Sequence, residues 1–209
     1  MKSKIKIFVI LLSAVILSSS EKLSAQTKAD IFLFETPITW LGVDYSDMRY
    51  IGLLDVSTSQ LDDYAKSIND IIVKEPKKYN LTSAFEKQSV VPNLKYIEKE
   101  NAAMDTEKVI TTDSKDFSRY TKDDISKIVK AYELKETGIG LVFIAEALNK
   151  TDESGAFWVT FVDMKNESVL FTERIIGKPA GFGFRNYWAG AFYSCLKQIK
   201  GTYYKQWKK

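Results

Sequence analysis

The sharpest periodicity along the chain begins at Leu61. Leu61, Tyr64, Ala65, Ile68, Ile71 and Ile72 recur at i, i+3, i+4, i+7, i+10 and i+11, one apolar stripe on a 3.6-residue period. Ser57 and Gln60 precede it at capping-box spacing and Pro76 stops it, which predicts a helix. A second stripe, Ile125, Ile128, Val129 and Tyr132, follows a start signal at Thr121 and Asp124 and ends at Gly138 and Gly140. The densest stripe is the last: Trp188, Ala191, Phe192, Cys195, Leu196 and Ile199, in a helix expected from near Asn186. Cys195 sits inside that stripe and reads as a small core residue rather than a reactive thiol. A shorter helix is expected from Leu81 to Lys87.

The strand signals have a different texture. Ile31 to Tyr45 is apolar, β-branched and aromatic, interrupted by Pro37, and Arg49 to Leu54 extends it after a turn at Ser46-Asp47. Val90 to Ile97 reads as extended, and the polar, poorly patterned Asn101 to Arg119 as a loop. Then Ile139–Leu148, Phe157–Val162 and Val169–Ile176 form three apolar runs, separated by the turns 149–155 and 163–167. Short loops between consecutive strands predict an antiparallel meander, and the unbroken run Leu141 to Ala145 a strand covered on both faces. The order is strand, helix, extended segment, helix, three strands, helix. It predicts an α/β (α+β) fold: a mixed β-sheet with an antiparallel three-strand meander, flanked by about three helices.

The first residues change the picture of where the protein works. Lys2, Lys4 and Lys6, the apolar run Ile7 to Leu17 and the small-residue ending Leu23-Ser24-Ala25 follow the order of a secretory signal peptide. The run is shorter than the ~18 apolar residues of a membrane span. Cleavage is expected after Ala25, leaving residues 26–209 as a single domain, exported to the periplasm or beyond the cell. Charge follows suit. The whole chain has 30 Lys and Arg against 27 Asp and Glu; Lys2, Lys4, Lys6, Lys22 and Glu21 fall in residues 1–25, so 26 of each sign remain. A neutral mature chain offers no basic face for nucleic acid. The tail Lys200 to Lys209 mixes lysines with aromatics and is expected to dock or fray.

Composition also narrows the chemistry. There is no histidine and one cysteine, which removes Ser-His-Asp and Cys-His catalysis, His-ligated metals, thiolate clusters and an intrachain disulfide. The balance leans away from an enzyme; no cofactor and no metal are expected. The remaining acidic candidates are Glu35 and Glu146, which stand in or beside apolar runs and would serve a carboxylate hydrolase only if the fold joined them. Asp44 and Asp47 lack the glycine and closing glutamate of a calcium loop and read as a turn. Asn80, Asn149 and Asn166 head glycosylation sequons, which matter only in a eukaryotic secretory pathway.

The most unusual stretch is GKPAGFGFRNYWAG, Gly177 to Gly190. Gly181 and Gly183 permit positive φ and close approach to a ligand, the following helix N-terminus favours anions, and Arg185 offers a bidentate fork. Gly181, Gly183, Arg185 and Asn186 are therefore the candidate ligand site. The loop matches neither G-x-G-x-x-G nor the P-loop. Its residues equally suit a chain reversal, with Asn186 as N-cap and Gly190 allowing close helix–sheet contact.

The segments GLVFIAEALNK and FWVTFVDMKNESVLFTERIIGKPAGFGFRNYWAG, with WLGVDYS near the start, resemble a group of secreted proteins of Gram-negative Bacteroidetes-type bacteria. Those proteins share a GK-x-GGFG-x-RNYWA signature and have no assigned activity; Ala180 departs from the glycine of that pattern. More loosely, the element order resembles the periplasmic α/β domains of CsgG-like and TolB amino-terminal type. The resemblance implies a shared fold and an envelope location. The function expected is a non-enzymatic binding or assembly module of the envelope, with an envelope protein or a small ligand as partner. A carboxylate hydrolase acting on envelope sugars or peptides and a small-anion-binding module are the alternatives.

Overall fold

The computed structural model describes residues 25–209; the expected signal segment through Ser24 lies outside them. Seven strands make one mixed sheet: β1 (Ile38–Asp44), β2 (Arg49–Ile51), β3 (Val90–Pro92), β4 (Ile110–Thr111), β5 (Ile139–Asn149), β6 (Ser154–Asp163) and β7 (Ser168–Gly177). β5 lies at the centre, and every one of its residues is buried. One edge of β5 pairs antiparallel with β6, which pairs antiparallel with β7. Its other edge pairs in parallel with β1 over Ile139 to Ile144, then with β2 over Ala147 to Asn149. β3 extends the sheet beyond β1, and β4 extends it beyond β2. The predicted meander is thus one half of the sheet; the other half is parallel.

Helices cover both faces. α1 (Leu61–Lys74), the single turn α2 (Leu81–Ala84), α5 (Phe184–Gln198) and α6 (Tyr204–Trp207) pack with Trp40, Val43, Phe143, Phe157 and Phe161 on one face. α3 (Lys95–Ala102) and α4 (Lys122–Ala131) pack with Leu41, Val142, Ile144 and Val162 on the other. The predicted start of α4 is realised as a capping box, in which Thr121 and Asp124 satisfy each other's backbone N–H groups. The C-terminal tail docks: Tyr204 and Trp207 are buried in the main core.

The parallel half is interrupted. Between Asp44 and Arg49 the chain leaves the ladder, while β5 carries a bulge at Glu146 between its pairs Ala145↔Phe157 and Ala147↔Ala156. The bulge resets the pleat, so Leu148 returns to the face of Phe143 and Ala145. At the same level the outer neighbour changes from β3 to β4, leaving the outward-facing backbone groups of Val43 and Tyr45 without a strand on that edge. Two buried side chains take that place. Asn69 of α1 accepts from the Val43 N–H at 2.6 Å and donates to the Val43 carbonyl at 2.8 Å. Asn101 of α3 donates to the same carbonyl at 3.0 Å and accepts from the Tyr45 N–H at 2.7 Å.

Several expectations are corrected. Ala29–Phe32 is a 3-10 turn, and β1 begins only after Pro37. Ser57 makes no side-chain cap: Thr58–Gln60 is a 3-10 turn leading into α1. The helix expected over Leu81 to Lys87 stops after Ala84, because Glu86 takes positive φ. The extended run Val90 to Ile97 splits, with only Val90–Pro92 in the sheet and Lys95 already helical, so Ile97 faces the second core. The supposed loop after Asn101 holds β4 and a 3-10 turn at Ser114–Ser118. α5 starts at Phe184, two residues before the expected Asn186.

Candidate functional site

β2, β5 and β7 all point their carboxyl ends the same way, since β2 is parallel to β5 and β7 is two antiparallel steps from it. Ligands of open α/β sheets collect at such ends. Here three loops meet there. Asp55 follows β2, Lys150 follows β5, and Gly181, Phe182 and Gly183 follow β7. Together with Tyr50, Phe184, Tyr187 and Trp188 they wall a pocket of about 230 Å³. That is below the ~300 Å³ lower bound for drug-sized sites, and suits a single ring or one side chain of a partner.

The walls are aromatic and carry charges of both signs. Tyr50 stacks on Phe184 with ring centroids 6.0 Å apart, and Trp188 meets Tyr50 edge-on at 5.8 Å. The Lys150 ammonium lies 3.8 Å from the centroid of the Tyr187 ring, a cation–π contact. The Tyr187 hydroxyl donates to Glu153 at 3.3 Å. Phe182, at 95% exposure, and Leu53, at 85%, are the two most exposed large apolar side chains among the described residues. Both belong to loops of this pocket; the Leu53 carbonyl accepts from the Tyr50 hydroxyl at 3.4 Å.

The four predicted site residues divide. Gly181 and Gly183 line the pocket, both at positive φ, 130° and 75°. Arg185 and Asn186 do not line it. Arg185 is exposed and its Nε donates to the Asn186 side chain at 3.1 Å, while the Asn186 amide donates to the Phe182 carbonyl at 3.2 Å. Asn186 therefore ties the loop to the first turn of α5 and is not the N-cap; Gly183 occupies that position with no side-chain cap. Gly190 does not meet the sheet. A Cβ there would collide with Ala180 of the loop, and it is Gly177 of β7 that lets α5 approach, against the Ala191 carbonyl. Lys150, Asp55 and Tyr187 were not legible as site residues, since each is an ordinary loop or helix residue until three segments are brought together.

The two candidate carboxylates stay apart. Ile38 and Ile139 are parallel neighbours; Glu35 precedes the one and Glu146 lies well beyond the other. At the rise of a strand that separates them by roughly 20 Å, too far for a hydrolytic pair. Glu146, at 0% exposure, is saturated: it accepts from the Tyr120 backbone N–H at 2.6 Å, the Trp158 indole at 3.2 Å and Arg174 Nε at 2.5 Å. Beside it, Asp47 accepts from Arg49 at 3.0 Å, Arg119 at 3.1 Å and the Tyr120 hydroxyl at 2.8 Å. Burial works to raise the Asp47 carboxyl, but the Tyr120 hydroxyl and the two guanidinium groups outweigh it and hold it below the usual carboxylate range. Asp44 accepts from the Tyr132 hydroxyl at 2.6 Å, and burial together with that carboxylate pushes the Tyr132 phenol well up. These acids pin the sheet break. Among the described residues no group of three metal-ligating side chains occurs. Cys195 is buried, and burial raises its thiol far above the ordinary range, as its place in the core stripe implies.

A larger cleft, of about 300 Å³, lies at the amino end of β1 between Trp40, Ile72, Tyr79, Leu81, Val90 and Pro92. It is mainly apolar, with Lys77 as its one charged wall residue. The smaller pocket is the better candidate because charged groups of both signs, the exposed Phe182 ring and uncapped backbone converge there.

No family model and no curated protein matches the chain. Among solved structures, the C-terminal domain of LpoB from Salmonella enterica aligns with 69% of this chain and 83% of that chain, at 9% identity and a TM-score of 0.30, a likeness too slight to carry an argument. No helix among the described residues is long and apolar enough to cross a membrane.

Two outcomes follow from the acids and their neighbours. Glu146→Ala leaves Arg174 without its buried counter-charge and should lower stability by about 3–5 kcal/mol in urea unfolding; a loss below ~1 kcal/mol would mean the pair is incidental. Lys87 is buried, donating to the Leu33 carbonyl at 2.5 Å. Burial, aided by Lys208 and opposed by Glu35, lowers its ammonium from the ordinary 10.5 to about 8. The native state thus releases this proton before the unfolded chain does, so stability contributed by Lys87 rises from pH 8 towards 10.5 and the penalty is fully present below 8. Lys87→Met should remove that rise, read as urea midpoints at pH 7 and pH 10; an unchanged rise would assign it to another group.

Proposed function

We propose that the protein is an exported, non-enzymatic binding module of the cell envelope, and that the pocket at the carboxyl ends of β2, β5 and β7 is its contact site. The carrying observation is Phe182. A phenylalanine at 95% exposure, on a loop otherwise fixed by close contacts with α5, buries nothing in the fold itself. An exposed aromatic beside a polar-rimmed pocket is the pattern of an interaction site. Export is supported by the charged, apolar, small-residue order of residues 1–25. The lack of histidine, and the separation of Glu35 from Glu146, favour binding over hydrolysis.

A second reading has its own observation. Lys150 lines the pocket beside the uncapped start of α5 at Gly183, a pairing that favours a small anion. Thermal unfolding of residues 26–209 with phosphate, acetate, glucuronate or N-acetylglucosamine separates the two, because a ligand of the native state raises the midpoint by mass action. Under the anion reading, phosphate or glucuronate shifts the wild type and loses its effect in Lys150→Ala. Under the partner reading no small molecule shifts it, and a photo-crosslinker at position 182 captures one discrete envelope protein while one at Val91, exposed on β3, does not. Phe182→Ala, with no ligand present, should leave the unfolding free energy within about 0.5 kcal/mol of wild type. Equal capture at 182 and 91, with no ligand shift, would reject the site.

A further inference from the structure

The backbone N–H of Gln26 donates to Oδ2 of Asp163 at 3.1 Å, across 137 positions of sequence. Asp163 closes β6 and is buried. Its Oδ1 accepts from the Lys165 and Asn166 backbone N–H groups at 3.0 and 3.1 Å, and its Oδ2 also accepts from the Asn166 side chain at 2.7 Å. Every one of these four donors is a neutral amide. Among the described residues no lysine or arginine forms a salt bridge with this carboxylate, whereas Glu146 and Asp47 are each paired with arginine. A buried carboxylate that lacks a cation is a position where one is favoured.

Gln26 is also the residue that cleavage after Ala25 would expose. Resting on the export reading, we infer that Asp163 is a preformed receptor for the α-ammonium group of the processed chain. Water adds across the Ala25–Gln26 bond, catalysed by a signal-processing peptidase. The C–N bond breaks, Ala25 keeps the new carboxylate, and the nitrogen already beside Asp163 takes up protons to become an ammonium. An amide hydrogen bond thereby becomes a part-buried ion pair. What it anchors matters to the fold. The segment behind Gln26 carries Ile31 into the core, with its carbonyl accepting from the Tyr204 hydroxyl at 3.2 Å and Phe32 meeting the Tyr204 ring at 5.5 Å. Processing thus tightens the clasp between the N-terminal segment, the β6–β7 turn and the docked C-terminus.

A second consequence is chemical. A free N-terminal glutamine cyclises: its amine attacks the side-chain Cδ, the N–Cδ bond forms, the Cδ–Nε2 bond breaks and ammonia leaves. An ammonium held by Asp163 has no lone pair for that attack, so the mature terminus should resist cyclisation while folded.

The test starts with the full chain expressed with its leader and recovered from the envelope fraction. Its intact mass reports whether the chain begins at Gln26, which tests the export reading alone. The docking is tested on the Gln26-initiated protein, if necessary released by a site-specific protease, against the same chain carrying one extra Met before Gln26. The expected result is a midpoint a few degrees higher for the Gln26 form, a gap that disappears in Asp163→Asn, and slower ammonia loss in the wild type than in Asp163→Asn. Equal midpoints with Asp163 intact, or equal cyclisation rates, would overturn the inference. If Asp163→Asn fails to fold, the extra-Met comparison decides it.

Discussion

Two buried asparagines allow this sheet to be broken without being exposed. Asn69 and Asn101 present to Val43 and Tyr45 the hydrogen bonds a neighbouring strand would have supplied. A side-chain amide can do this because it carries both a donor and an acceptor, the same pair a peptide group presents. Left unmet, each backbone group at this depth would cost about 1–3 kcal/mol. The two amides come from helices on either side of the sheet edge, so the seal also fixes α1 and α3 against β1. The β5 bulge at Glu146 lies at the same level, held by Arg174, Trp158 and the Tyr120 backbone.

That interruption shapes the functional end of the molecule. It lets β2 resume beside the last residues of β5, so the loop after β2 reaches the turn after β5 and the loop after β7. The polar side chains of the break are consumed in structure: Glu146, Asp44 and Asp47 hold arginines, tyrosines and backbone amides. The polar groups of the pocket, Lys150 and Asp55, are spent far less on the fold, and the rings around them include one that faces solvent. This division of labour is why Glu146, a carboxylate singled out in sequence, is structural, while the ordinary lysine of a hairpin turn stands at the candidate site.

The sequence made local and periodic features legible. The stripes of α1, α4 and α5, the capping box at Thr121 and Asp124, and the three runs of the meander all express a repeat within one element. Features that depend on distant partners were not legible. Val90 to Ile97 looks extended because most of its residues are β-branched or apolar, yet only three pair with β1 and the rest turn into a helix whose Ile97 serves the second core. β4 is two residues long and exists only because β2 lies beside it. At the candidate site the glycines were readable, since positive φ and close approach demand them. Arg185 and Asn186 were singled out by residue type, but their side chains answer each other and the loop carbonyl at Phe182.

A sealed break in the sheet feeds an open loop cluster, and amide hydrogen exchange tests this directly. The Val43 and Tyr45 amides should exchange as slowly as the central residues of β5, through near-global opening, while the amides of Phe182 and Gly183 exchange fast. If Val43 and Tyr45 exchanged as quickly as the 181–183 loop, the asparagine seal would not hold in solution, and the sheet break could not be the fixed frame that positions the site.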